Sequence, residues 1–152
     1  MNKVAILIGS KTDRDIMLAA KPYYDYFGID WELMVLSAHR NPEKVGEFAI
    51  NARKNGYGCL VAGAGMAAHL AGMLKAHSTL PVIGVPMPGG ISSGLDALLS
   101  TVQMPKGVPV ATVAVGKAGA INAAVLAAEI FSLSDESMAN KLADFKQNGC
   151  ML

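Results

Sequence analysis

Five short aliphatic runs, each followed by a stretch of helical spacing, constrain this chain more than any other feature. Residues 3–8, 31–36, 57–62, 81–85 and 110–115 have strand length and an almost unbroken apolar character. Strands apolar on both faces belong to parallel sheets covered by helices on each side, because a half-solvated strand would alternate polar and apolar residues. The intervening segments supply those helices. Residues 13–27 carry apolar side chains at helical spacing and stop at Gly28, a good C-terminal cap. Pro42 opens a second helix that runs to about residue 55. Further helices are expected over residues 66–77, 95–102, 118–131 and 134–147, the last capped by Ser134. Five such units define a flavodoxin-like three-layer α/β/α sandwich, with a five-stranded parallel sheet in the order 2-1-3-4-5.

The chain has 152 residues, a length expected of a single domain spanning residues 1–152. Charged residues make up 16%, against roughly 25% in ordinary soluble domains. Mean hydropathy is +0.35. More surface is therefore hidden from water than one small monomer hides, either in a membrane or between subunits. The apolar stretch over residues 57–74 is broken by glycines and His69, and reads as strand, turn and helix rather than a membrane span. The N-terminal apolar run is too short for a signal peptide. A cytoplasmic, oligomeric protein is expected, with no membrane partner.

The formal net charge of +1, without a basic run, gives no reason to expect nucleic acid. Cys59 and Cys150 are too few and too far apart for a disulfide framework or a zinc site, and Cys59 reads as an inert core residue. The three histidines lack metal-binding spacing, so no metal is expected.

In a doubly wound sheet ligands bind beyond the carboxyl ends of the strands, at the switch point between strands one and three. The segments after the strands are GSKTD (9–13), SAHR (37–40), GAGMAAH (63–69) and PMPGG (86–90). Together they offer hydroxyls, backbone amides, one guanidinium and two imidazoles. That set suits an anionic, polyhydroxylated ligand with a proton to move. Ser10 is either a helix cap or a phosphate ligand. Asp13 would repel phosphate and fits better as a cap or an acceptor of ribose hydroxyls. Arg40 is either a solvated charge or a bidentate phosphate clamp, whereas Lys11 reads as a solvated loop charge. The GxGxxA match at residues 63–68 is not a dinucleotide fingerprint, since no acid follows about 20 residues on. Small residues there let backbone approach a small group. His39 and His69 are each structural or catalytic, and two on one sheet edge raise the catalytic case. His77 reads as an ordinary helix C-terminal residue.

The blocks GSKTD, SAHRNP, AGAGMAAHLAGM, PVIGVP and LDALLSTVQMPKGVPVATVAV, in this order and spacing, closely resemble the N5-carboxyaminoimidazole ribonucleotide mutase family of de novo purine biosynthesis. The resemblance implies an isomerase that moves a carboxylate from the exocyclic N5 of an aminoimidazole ribonucleotide to ring C4. It also implies a homo-octamer with sites at subunit contacts, and no metal or organic cofactor. Carried over by position, His39 matches the catalytic acid/base and His69 the second active-site histidine. Ser10, Asp13 and Arg40 match substrate-binding residues, Thr12 and Ser37 belong to the same ribose-phosphate loops, and Ala64 and Gly65 match the backbone facing the migrating carboxylate. Thr12 stands where serine is common, Asn41 where threonine is usual, Met66 where glycine is frequent and Ala71 where proline is expected; Met66 would narrow the carboxylate pocket. Two rivals are a carboxylase that uses CO2 directly, which typically has lysine in place of Arg40, and a non-catalytic flavodoxin-like binding module.

Overall fold

A computed structural model describes residues 2–152 of the chain. Strand β1 (Lys3–Ile8) is followed by a short 3-10 turn at Lys11–Asp13 and by helices α1 (Arg14–Leu18) and α2 (Lys21–Phe27). Then come β2 (Asp30–Val35), α3 (Pro42–Asn51), β3 (Cys59–Ala64), α4 (Leu70–His77) and β4 (Val82–Pro86). A second 3-10 turn (Ile91–Ser93) leads to α5 (Leu95–Val102), β5 (Ala111–Thr112), α6 (Lys117–Ser132) and α7 (Glu136–Gln147). The sheet order is β2-β1-β3-β4-β5, with every pairing parallel, as the pattern of apolar runs predicts. No helix among the described residues is long and apolar enough to cross a membrane.

Each central strand is buried on both faces. Val4, Ile6 and Ile8 join a core with Met17, Tyr24, Phe27 and the alanine face of α6, while Ala5 and Leu7 join a second core with Val45, Leu70 and Leu74. Each buried Leu or Ile contributes roughly 1.5–3 kcal/mol through removal of apolar area from water, so the two cores account for both faces of the sheet. Cys59 lies in the first core with no exposure, and burial pushes its thiol up to about 12, consistent with an inert residue.

Several local expectations need correction. The helix expected over residues 13–27 is broken between Leu18 and Lys21. Pro22, in the first turn of α2, has no N–H to give the preceding turn. Its other end behaves as expected, with Gly28 in the left-handed conformation at φ 72°. The helix expected from residue 66 starts only at Leu70, because Met66 has φ 54° and cannot lie in a right-handed helix. Strand β3 is shifted by two residues to Cys59–Ala64, and β5 is cut to Ala111–Thr112 at the sheet edge. Ser134 is not the cap of α7: the Asp135 carboxylate accepts from Met138 N at 3.1 Å and from Asn2 Nδ2 at 2.6 Å. The helix opened by Pro42 also ends earlier than expected, at Asn51.

The alanine-rich α6 reaches the sheet because Gly119 passes against backbone. A Cβ at that position would stand 1.7 Å from the Ala114 carbonyl oxygen and 3.1 Å from Val85 Cγ1. No side-chain rotation relieves a clash with a main-chain oxygen. Gly119→Ala is therefore expected to cost about 3 kcal/mol or more, at the upper end of overpacking penalties. Thermal unfolding would show this as a fall in Tm of about 6–12 °C for a chain of this size; an unchanged Tm would contradict the close approach.

Candidate active site

The parallel register delivers four strand ends to one level. Ile8 pairs with Val35 on one side and with Gly63 on the other, and Ala64 pairs with Pro86. The residues that follow surround a cavity of about 540 Å³. Its lining includes all nine residues singled out in the sequence: Ser10, Thr12 and Asp13 after β1, Ser37, His39 and Arg40 after β2, and Ala64, Gly65 and His69 at the end of β3 and beyond it. Lys11 and His77 lie outside the lining, Lys11 as an exposed loop charge and His77 with Nδ1 3.0 Å from Met73 O.

After β1, the chain turns tightly. Ser10 Oγ accepts from Thr12 N at 3.3 Å and from Thr12 Oγ1 at 2.8 Å, so one hydroxyl caps the 3-10 turn and lines the cavity. Asp13 does not cap α1 through its side chain. Its carboxyl lies above its ordinary value, chiefly through burial, although hydrogen bonds from the Ser10 backbone and the Thr12 side chain pull the other way. After β2, the backbone folds back on Ser37: Arg40 N donates to Ser37 Oγ at 3.3 Å and Asn41 N to Ser37 O at 2.8 Å. The turn throws His39 and Arg40 outward at the mouth of α3, where both are exposed.

After β3, the chain adopts neither strand nor helix until Leu70. Met87 N donates to Ala64 O at 2.9 Å, tying the ends of β3 and β4 together. Met66 takes its left-handed conformation, and His69 N donates to Ala67 O at 2.9 Å. The outcome is the shortest polar contact within the cavity lining: His39 Nε2 lies 2.7 Å from His69 Nδ1, with the rings at 82° and their centroids 4.8 Å apart. One of these nitrogens must carry the proton and the other accept it, so each ring fixes the tautomer of its partner.

Further residues line the cavity without having been picked out as site residues: Gly9, Ala38, Ala67, Leu70, Met87, Pro88 and Gly90, with Met66 at the wall as its position suggests. Their strand-end location was the available signal. Being apolar or small, they carry no chemistry that would mark them in isolation. Among the described residues no group of three or more His, Cys, Asp or Glu side chains is arranged to hold a metal ion.

The fold and the site define a class, a doubly wound α/β protein with a polar-lined cavity at its topological switch point and a hydrogen-bonded histidine pair in the cavity wall. The chain belongs to the AIR carboxylase family, whose pattern it matches over residues 3–150. It is 47% identical over 146 residues to the N5-carboxyaminoimidazole ribonucleotide mutase of Haemophilus influenzae, covering 96% of this chain and 89% of the relative. It is 50% identical over 145 residues to the enzyme of the same name from Bacillus subtilis, covering 95% and 90%. The crystal structure of Treponema denticola PurE superposes with a TM-score of 0.85 at 27% identity, covering 97% of this chain and 91% of that one.

The raised Asp13 carboxyl has a consequence for stability. Its folded-state pKa lies above the unfolded value near 3.8, so the folded protein holds the proton more tightly and the charged form penalises folding. The penalty is absent below pH 3.8 and grows as pH rises through the folded-state value. Asp13→Asn should thus raise Tm at neutral pH, and the gain should vanish in acid. Thermal melts of both proteins across that range test this, and a lower Tm for the variant at neutral pH would refute it.

Proposed function

We propose that this chain is an N5-carboxyaminoimidazole ribonucleotide mutase, converting N5-carboxyaminoimidazole ribonucleotide to 4-carboxy-5-aminoimidazole ribonucleotide on the route to IMP. The observation that carries the reading is the 2.7 Å His39–His69 contact inside a cavity that also holds Ser10, Ser37 and Arg40. In this reading Arg40, Ser10 and Ser37 bind the phosphate, with Thr12 completing the same pocket, and Asp13 accepts ribose hydroxyls.

The chemistry follows from the pair. Protonated His39 gives its proton to N5, the bond from N5 to the carboxyl carbon breaks, and its electrons stay on nitrogen. The products are CO2 and aminoimidazole ribonucleotide. CO2 is held between the Ala64–Gly65 amides and His69 until C4, an enamine-like carbon, attacks it and forms the new carbon–carbon bond. Neutral His39 then removes the C4 proton, which restores aromaticity and regenerates the starting acid. Atoms, charge and electrons balance with no co-reactant. Confinement is essential, because escape of CO2 would make recarboxylation bimolecular and forfeit the advantage of proximity.

The protein acts as one domain and as a homo-octamer in the cytoplasm, with sites closed by neighbouring copies. Support for assembly comes from α5, whose Leu95, Leu99 and Val102 are exposed at i, i+4 and i+7 beside the still more exposed Ile91. Such an apolar stripe on a charge-poor chain suits burial against a second copy.

His39→Asn is expected to abolish conversion of N5-carboxyaminoimidazole ribonucleotide, followed by ultraviolet absorbance, while leaving folding and nucleotide binding intact; near-normal turnover would remove His39 from its role. The parent rate should not depend on added bicarbonate, whereas a carboxylase drawing CO2 from solution requires it. Arg40→Ala should chiefly raise KM, by about 10-fold or more, since its phosphate contact is alike in ground and transition states. A fall in kcat with KM unchanged would place Arg40 elsewhere.

A further inference from the structure

The turn that carries His69 is held from behind by a residue that does not line the cavity. Residues 65–69 have no regular structure, and Met66 sits there in a left-handed conformation that L-residues with a side chain rarely adopt. Ala68 is buried, and its N–H donates to Ser100 Oγ of α5 at 2.9 Å. The same oxygen lies 2.8 Å from Asp96 O, 3.2 Å from Met66 O and 3.3 Å from Ala97 O. A hydroxyl has one proton and two lone pairs. Ser100 Oγ therefore accepts from Ala68 and donates to the Asp96 carbonyl of its own helix, with the Met66 carbonyl also within reach of that proton. One end of the strained turn is thus held by this atom, and the other lies within its reach.

We propose that Ser100 is a positioning residue of this site: its hydroxyl fixes the Met66–Ala68 turn and thereby sets His69 at hydrogen-bond distance from His39. The inference rests on the mutase reading for its kinetic expression. His39 and His69 arise on different loops, so their 2.7 Å contact survives only if each loop is held independently. The SAHR loop is held by Ser37. The loop after β3 lacks any comparable side chain of its own, because residues 63–68 are glycine, alanine and methionine. Ser100, 32 residues further along the chain from Ala68, supplies the missing group. Without it the buried Ala68 N–H loses its acceptor and the left-handed turn loses its anchor. The turn then relaxes, and His69 moves with it. Ser10, Ser37 and Arg40 stand on the loops after β1 and β2, which Ser100 does not touch, so binding of the phosphate end is left alone.

The test compares Ser100→Ala with Ser100→Thr in steady-state mutase assays, together with nitrogen NMR of the protein labelled in its histidine rings. Ser100→Ala should lower kcat by about 10²-fold, the order expected for a misplacement of about 1 Å, with KM within about twofold of the parent. Ser100→Thr, which keeps the hydroxyl, should restore most of kcat. The ring-nitrogen signature of the hydrogen-bonded pair should be present in the parent, lost in Ser100→Ala and recovered in Ser100→Thr. An alanine variant that keeps kcat within about threefold and retains the ring signature overturns the proposal. So does an equal loss in both variants. Should Ser100→Ala not fold, Ser100→Cys, with similar volume but a weak acceptor, decides on the same two readouts. If the parent itself fails to isomerise N5-carboxyaminoimidazole ribonucleotide, the functional reading falls, and the ring signature alone still settles whether Ser100 holds the pair.

Discussion

Parallel pairing of β1 with both β2 and β3 is the constraint on which the rest of the molecule depends. Because Ile8 faces Val35 on one side and Gly63 on the other, three chains leave the sheet at one height. Leu36 N donates to Ile8 O and Gly9 N to Gly63 O, which continues the ladder one residue past the strands. A slip of one residue in β1 would turn Val4, Ile6 and Ile8 out of their core and move the Gly9–Ser10 turn away from its neighbours. Site and core are thus secured by the same hydrogen bonds.

That coupling explains why so much was legible in the sequence. Uniformly apolar strands imply a covered parallel sheet, and a covered parallel sheet in this length implies a switch point. The switch point in turn selects Ser10, Ser37, His39, Arg40 and His69 out of the whole chain without any knowledge of their contacts. Features that depend on single backbone conformations were less legible. The break before Pro22 leaves the helical period of residues 13–27 almost unchanged, so periodicity hides it. Met66 has good helix propensity, yet the positive φ that delays α4 to Leu70 is imposed by tertiary contacts. At the start of α7, Ser134 and Asp135 are both good caps, and Asp135 prevails because Asn2 also donates to it. Ser100 was invisible for a different reason: on its own helix it is an ordinary serine back-bonding to residue 96, and its partners Met66 and Ala68 lie more than thirty positions away.

Several site groups carry structural duties as well. Ser10 Oγ holds Thr12, and Ser37 Oγ holds Arg40 N, so on the proposed reading each hydroxyl would meet the ligand with its remaining hydrogen-bonding capacity. This arrangement preorganises the loops, since a hydroxyl already fixed by backbone loses little freedom when it binds. Asp13 shows the opposite bias. Burial makes its charged form unfavourable in the free protein, and a ligand that donates hydroxyl protons would relieve that cost. A strained acceptor beside relaxed donors is what a site for a phosphorylated sugar requires: donors for the anion, and an acceptor that gains from the ribose.

On the proposed mechanism, the histidine pair would suit the reaction because isomerisation is neutral in protons. Any acid that releases its proton to N5 must recover one from C4 before the next turnover, and a group that holds its proton much too tightly or too loosely would stall at one of the two steps. Imidazole is the side chain best able both to give and to take a proton near neutrality. Pairing His39 Nε2 with His69 Nδ1 adds orientation to this balance, since the ring edge that faces its partner fixes which edge remains for substrate. The 82° crossing needs one imidazole from the turn after β2 and another from the turn after β3, which are neighbours only because β1 lies between their strands. The geometry of the pair is accordingly a property of sheet topology as much as of the two side chains.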